Sequence, residues 1–130
     1  MGILIEHGMK EPIIIVNWQN PFDTTTDILE SNKLVSDFAN RSGTPVYRII
    51  DTHEIDLTFG DLVHILDLKT RNEPGSLRDP RIHTVLVGTH EMVRMKAQSL
   101  SQEQYGGLNV PLFESVDDAI AYCRAQLVMG

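Results

Sequence analysis

Apolar residues gather in five short runs along this chain: Gly2–Glu6, Pro12–Trp18, Val46–Asp51, Ile82–Gly88 and Val110–Glu114. The first two are separated only by a Gly-Met-Lys-Glu-Pro turn. Each of the other three follows a stretch whose apolar residues recur at spacings of three and four, and one more such stretch closes the chain. Short apolar runs bounded by turn residues read as strands, and the longer spacing reads as helices packed by one face. The predicted order is ββαβαβαβα. It describes a single α/β domain over residues 1–130, with a five-stranded mixed, mostly parallel sheet and four helices.

The pattern also sets some of the pairing. The turn between the first two runs is too short for a parallel crossover, so those strands pair antiparallel. The second run is apolar at four consecutive positions, Ile13 to Val16, which predicts burial on both faces and a central place in the sheet. Capping-box spacing marks three helix starts, at Thr24-Thr-Thr-Asp27, Thr58-Phe-Gly-Asp61 and Ser115-Val-Asp-Asp118. Thr89, after Gly88, caps a further one. The sheet-facing stripes are Ile28, Val35, Phe38 and Ala39 in the first helix; Phe59, Leu62, Val63 and Leu66 in the second; Met92, Val93, Lys96, Ala97 and Leu100 in the third; and Val116, Ala119, Ile120, Cys123 and Leu127 in the fourth. Stops follow at Ser42-Gly43, Asn72-Glu-Pro-Gly75 and Tyr105-Gly-Gly107.

Composition narrows the function classes. The formal net charge is −7 and hydrophobic residues make up 42% of 130. A core of useful size can form, and the acidic balance argues against nucleic acid and against an anionic membrane surface. The longest apolar run is far too short to span a bilayer, so no membrane insertion is expected. The start of the chain shows no basic region followed by a long apolar core, so no signal peptide is expected. The single cysteine, Cys123, rules out a disulfide within the chain, fits a cytoplasmic setting, and sits at a helical position suited to the core.

Candidate chemistry falls at the carboxyl ends of the parallel strands, where open α/β sheets collect ligands. Asn17, Trp18 and Phe22 follow the second strand, Asp51, Thr52, His53 and Glu54 the third, and Gly88, Thr89 and His90 the fourth. One reading is a metal- or acid/base-dependent enzyme using His53, His90 and Asp51, because imidazole and carboxylate suit both tasks. No His-x-x-x-His pair and no cysteine partner accompanies them, and ordinary polar loop residues explain them equally well. A second reading is an anion site on the backbone N–H groups at Gly88-Thr89-His90. No Walker-type loop and no G-x-G-x-x-G occurs, which argues against a standard nucleotide enzyme. Trp18 with Phe22 serves either as a ligand-stacking pair or as a wall where strand meets loop. His7, His64 and His83 are scattered at structural positions, and Arg71, Arg78 and Arg81 cluster around the long polar loop.

Three stretches carry a family resemblance. Pro45-Val-Tyr-Arg-Ile-Ile-Asp51 through Thr58-Phe-Gly-Asp-Leu-Val-His-Ile-Leu66 resembles the strand, switch loop and helix of STAS domains and the wider SpoIIAA-like superfamily. Arg81-Ile-His-Thr-Val-Leu-Val-Gly88 resembles the family's next strand, and Val110 to Tyr122, with Phe113, Ser115 and Ala119, its closing strand and helix. The resemblance implies a non-enzymatic regulatory or binding module that takes a protein partner or a small ligand, with no cofactor and no metal. In signalling members a serine at the start of the helix after the third strand is phosphorylated. Here that stretch is Leu57-Thr58-Phe59-Gly60-Asp61; serine is absent, and Thr58 is the nearest hydroxyl and the phosphorylation candidate. The binding residues expected on this reading are Asn17, Trp18, Phe22, Asp51, Thr52, His53, Thr58, Gly88, Thr89 and His90. A third reading is a homo-oligomeric structural module, a homodimer formed through the open edge of the first strand.

Overall fold

The computed structural model describes residues 2–7, 11–20, 22–23, 25–43, 45–55, 79–88 and 110–129. They form one five-stranded sheet in the order β1-β2-β3-β4-β5, so each strand lies beside its neighbours in sequence. The strands are β1 (Ile3–His7), β2 (Ile13–Gln19), β3 (Val46–Glu54), β4 (Ile82–Val87) and β5 (Leu112–Phe113). β1 pairs antiparallel with β2, and the remaining neighbours are parallel. The mixed, mostly parallel sheet is therefore as the pattern of apolar runs predicts.

The expectation of four helices is corrected. Among the described residues there are two, α1 (Thr26–Ser42) and α2 (Val116–Met129). The starts expected at Thr58 and Thr89, and the two helices read from them, lie outside the described residues. Capping spacing and an apolar stripe only permit a helix. Its stability comes from packing that stripe, and such packing is seen for α1 on one face of the sheet and α2 on the other.

Two apolar clusters follow from strand alternation. On the α1 side, Ile14, Val16 and Trp18 of β2 join Val46 and Ile50 of β3, Leu86 of β4, and Ile28, Val35, Phe38 and Ala39 of the helix. On the α2 side, Ile13, Ile49, Val85 and Val87 pack against Ala119 and Cys123. β2 and β3 contribute to both, which is why Ile13 to Val16 read as a continuous apolar run.

The helix ends show local chemistry at work. α2 starts as expected: Ser115 Oγ accepts from the Asp118 N–H at 3.1 Å. α1 starts on a different residue from the one expected. Asp23 Oδ1 accepts from the N–H groups of Thr25 and Thr26 at 2.9 and 2.6 Å, and Asp27 Oδ2 accepts from the Asp23 N–H at 2.8 Å. The reciprocal pair is thus Asp23 with Asp27; Thr24 lies outside the described residues. Asp27, buried, also accepts from the Gly2 N–H at 3.2 Å, which ties β1 to the helix start. α1 ends at Gly43, whose φ of 70° is the left-handed conformation that glycine tolerates.

α1 also buries polar residues: Asp27, Ser31, Asn32 and Ser36 sit beside its apolar stripe. Across from the helix the sheet presents Arg48, wholly buried, whose Nε and Nη2 both donate to Thr84 Oγ1 at 3.1 and 2.8 Å. Burial pulls the Arg48 pKa down to about 10, against the opposing pull of Asp79. Asp79 in turn accepts a two-pronged bond from Arg81 at 3.1 and 2.8 Å. Arg81 reaches on to Asn40 Oδ1 and to Ser36 Oγ, fastening the last turns of α1 to the start of β4.

Candidate functional site

The carboxyl ends of β2, β3 and β4 come together as open α/β topology requires. β3 runs past the end of β4, whose Val87 pairs with Asp51, and finishes level with β2, whose Gln19 pairs with Glu54. The strand was expected to end at Asp51 and give way to a loop; instead Asp51, Thr52, His53 and Glu54 all belong to it. Asn17 of β2 pairs with Asp51, and Gln19 pairs with Glu54, so β3 carries one more residue than β2 over that interval. An extra residue of this kind is a bulge, which bends a strand and re-aims its side chains.

The closest polar contact at this end is made within β3 itself. His53 Nδ1 lies 2.7 Å from Asp51 Oδ1, and the His53 backbone N–H donates to the same oxygen at 3.1 Å. The backbone bond is the local one that an aspartate side chain makes to the N–H two residues on, and it brings the ring within reach of the same oxygen. A carboxylate oxygen only accepts, so Nδ1 carries the hydrogen in this bond and Nε2 is the ring nitrogen left for a further partner. The His53 side chain is about a third exposed, at 35%. The tip of β3 is held from the other side as well, by Asn20 Nδ2 donating to the Glu54 carbonyl at 3.1 Å.

The sheet separates the remaining expected residues. Asn17 is half-buried beside Asp51 on the α2 side. Trp18 is on the α1 side, fully buried in the core, with Phe22 stacked on it at 4.9 Å between ring centroids and 26° between planes. Thr52 is also buried, and its hydroxyl donates to the Val87 carbonyl at 2.9 Å, tying β3 to β4. Gly88 is buried, with its N–H donated to the Phe113 carbonyl at 3.0 Å. Thr58, Thr89 and His90 lie outside the described residues. The geometry therefore brings Asn17, Asp51 and His53 together on one face, and puts Trp18, Phe22 and Thr52 on the other.

Two features were not singled out from sequence. Asn20 helps hold the end of β3 by donating to the Glu54 carbonyl; it follows an apolar strand, but nothing in its identity marks it. Arg48 was read as one residue of a strand, and only its burial makes it distinctive. Cys123 is a core residue, with its thiol pushed up to about 11 by burial. Among the described residues, no three His, Cys, Asp or Glu side chains gather closely enough to hold a metal ion, and no helix is long and apolar enough to cross a membrane. Set against known proteins, the chain matches no family model and no curated sequence.

Proposed function

We propose that this chain is a non-enzymatic binding module that engages a protein partner or a small ligand at the carboxyl end of its sheet, in the manner of the STAS and SpoIIAA-like domains it resembles. The observation that carries the reading is the carboxyl end of β3, which runs past β4 beside the end of β2. It offers exposed His53 and Glu54 on a backbone braced by Asp51 and Asn20, a rigid rim of hydrogen-bonding groups. Preformed polar groups on a fixed scaffold lower the ordering cost of recognition. A cytoplasmic location belongs to the same reading, resting on the acidic composition and the lone cysteine.

Native mass spectrometry of freshly purified protein tests it, run beside the His53→Ala, Glu54→Ala double variant. An added mass that is released on denaturation, and is missing from the variant, supports binding at the tip. An added mass retained by the folded variant places binding elsewhere and sinks the proposal.

A second reading is favoured by the Asp51–His53 pair alone. A carboxylate that orients the imidazole through Nδ1 and leaves Nε2 for a partner is the arrangement of a general base. On that reading His53→Gln abolishes turnover of a bound molecule without releasing it. On the binding reading it only weakens retention.

A further inference from the structure

We infer that the open edge of β1 is a self-association surface, where a second copy of this chain adds its own β1 antiparallel across a two-fold axis. This goes beyond the binding reading and does not depend on it.

The argument begins with the backbone. The Gln19 N–H donates to the Gly2 carbonyl, and these two residues are opposite in the β1–β2 register. In an antiparallel pair, hydrogen-bonded positions alternate. Gly2, Leu4 and Glu6 therefore turn their backbone groups toward β2, while Ile3, Ile5 and His7 turn theirs outward. Among the described residues nothing pairs with that outward side. Edge strands are usually blunted by charged side chains, lysine above all, by proline, by a bulge or by being very short. β1 is short and carries one exposed charge, Glu6, but it has no lysine or proline and pairs with β2 without a register shift.

Side chains choose the occupant and the register. Leu4 is 48% exposed, on the opposite face from Ile3 and Ile5, which belong to the α1-side core. A two-fold axis through Leu4 sets Leu4 against Leu4 of the second copy, and Ile3 against its Ile5. Glu6 then faces Gly2 of the second copy, so the two acidic residues are kept apart. The outward N–H and C=O groups of Ile3 and Ile5 meet their counterparts, and the α1-side core runs on from one copy into the other. An unrelated acidic or basic strand gains no such match on both faces at once. Contact over a strand this short falls below the area of a standard stable interface, so the dimer dissociates on dilution.

Sedimentation equilibrium from low to high micromolar concentration, on the intact chain and on Leu4→Lys, provides the test. The intact chain is expected to show a concentration-dependent monomer–dimer equilibrium. Leu4→Lys, which opposes two ammonium groups across the axis, is expected to weaken it by about a hundred-fold. The half-exposed site lets the lysine reach water, so an unchanged circular-dichroism melt shows that the fold survives. Leu4→Cys supplies an independent check, because directly opposed residues of this class lie about 4.5 Å apart at Cα, within disulfide reach. Oxidation is expected to link two copies, whereas the parent chain, with Cys123 buried, stays single. A chain that remains monomeric throughout, a Leu4→Lys variant that associates as well as its parent, or a Leu4→Cys variant that associates without linking would each overturn the inference.

Discussion

Arg48 shows how much a single residue can commit a core. A guanidinium wholly removed from water is costly unless its donors are met. Two of them converge on the one hydroxyl of Thr84. Thr84→Val keeps the shape and deletes the acceptor, so it is expected to lower stability by about 1–3 kcal/mol, read from urea unfolding. Thr84→Ser keeps the hydroxyl and is expected to lose well under half of that. Equal losses in both variants would mean that packing, not the hydrogen bond, is what Thr84 supplies. Asp27 is a second such residue, a buried carboxylate that joins the Gly2 N–H to the start of α1.

At the scale of elements, helix ends answer to short-range chemistry. Ser115→Ala is expected to cost about 1 kcal/mol and to leave the sheet intact, visible as faster amide exchange confined to the first turn of α2. Loss of protection spread through the sheet would contradict a purely local cap. The same scale shows what could be read in the chain beforehand. The apolar runs located every described strand, because alternation and burial leave a plain trace, and Ser115 and Gly43 marked their helix ends through the atoms that do the capping. The α1 start was misplaced by a residue, since Thr24, Thr25 and Thr26 all offer hydroxyls while the Asp23 carboxylate accepts two N–H groups at once. The end of β3 was misplaced because polar residues at a strand end resemble a loop. The Asp51–His53 contact was nearer the surface of the sequence, since an aspartate commonly accepts from the backbone N–H two residues on, as Asp51 does here. Ser31, Asn32 and Ser36 were missed as buried because an apolar stripe says nothing about the polar residues that flank it.

Over the whole molecule, the α2-side core sets a response to alkaline pH. Burial raises the Cys123 thiol from 9.0 to about 11. Burial, then Tyr122 and Cys123 nearby, raises Tyr47 as well. Each raised group holds its proton more tightly when folded. The stability it confers is whole below the unfolded value and is lost as pH climbs toward the folded one. For Cys123 that window is pH 9.0 to about 11, with a slope approaching 1.4 kcal/mol per pH unit. Urea midpoints should therefore fall across this range, and Cys123→Ala should flatten the fall; an identical decline in that variant would acquit the thiol. The sheet has its own consequence on this scale. Because strand order repeats chain order, each strand after the first finds a partner among residues already made. A nascent chain can pair β1 with β2, lay down α1 and add β3 before β4 has left the ribosome, as a wall rises course by course. The α2-side core, with Ala119 and Cys123 on Ile13 and Ile49, must wait for the last residues, as must the contact between Arg124 of α2 and Glu11 ahead of β2. Synthesis itself can guide this fold, with the closing helix arriving as its latch.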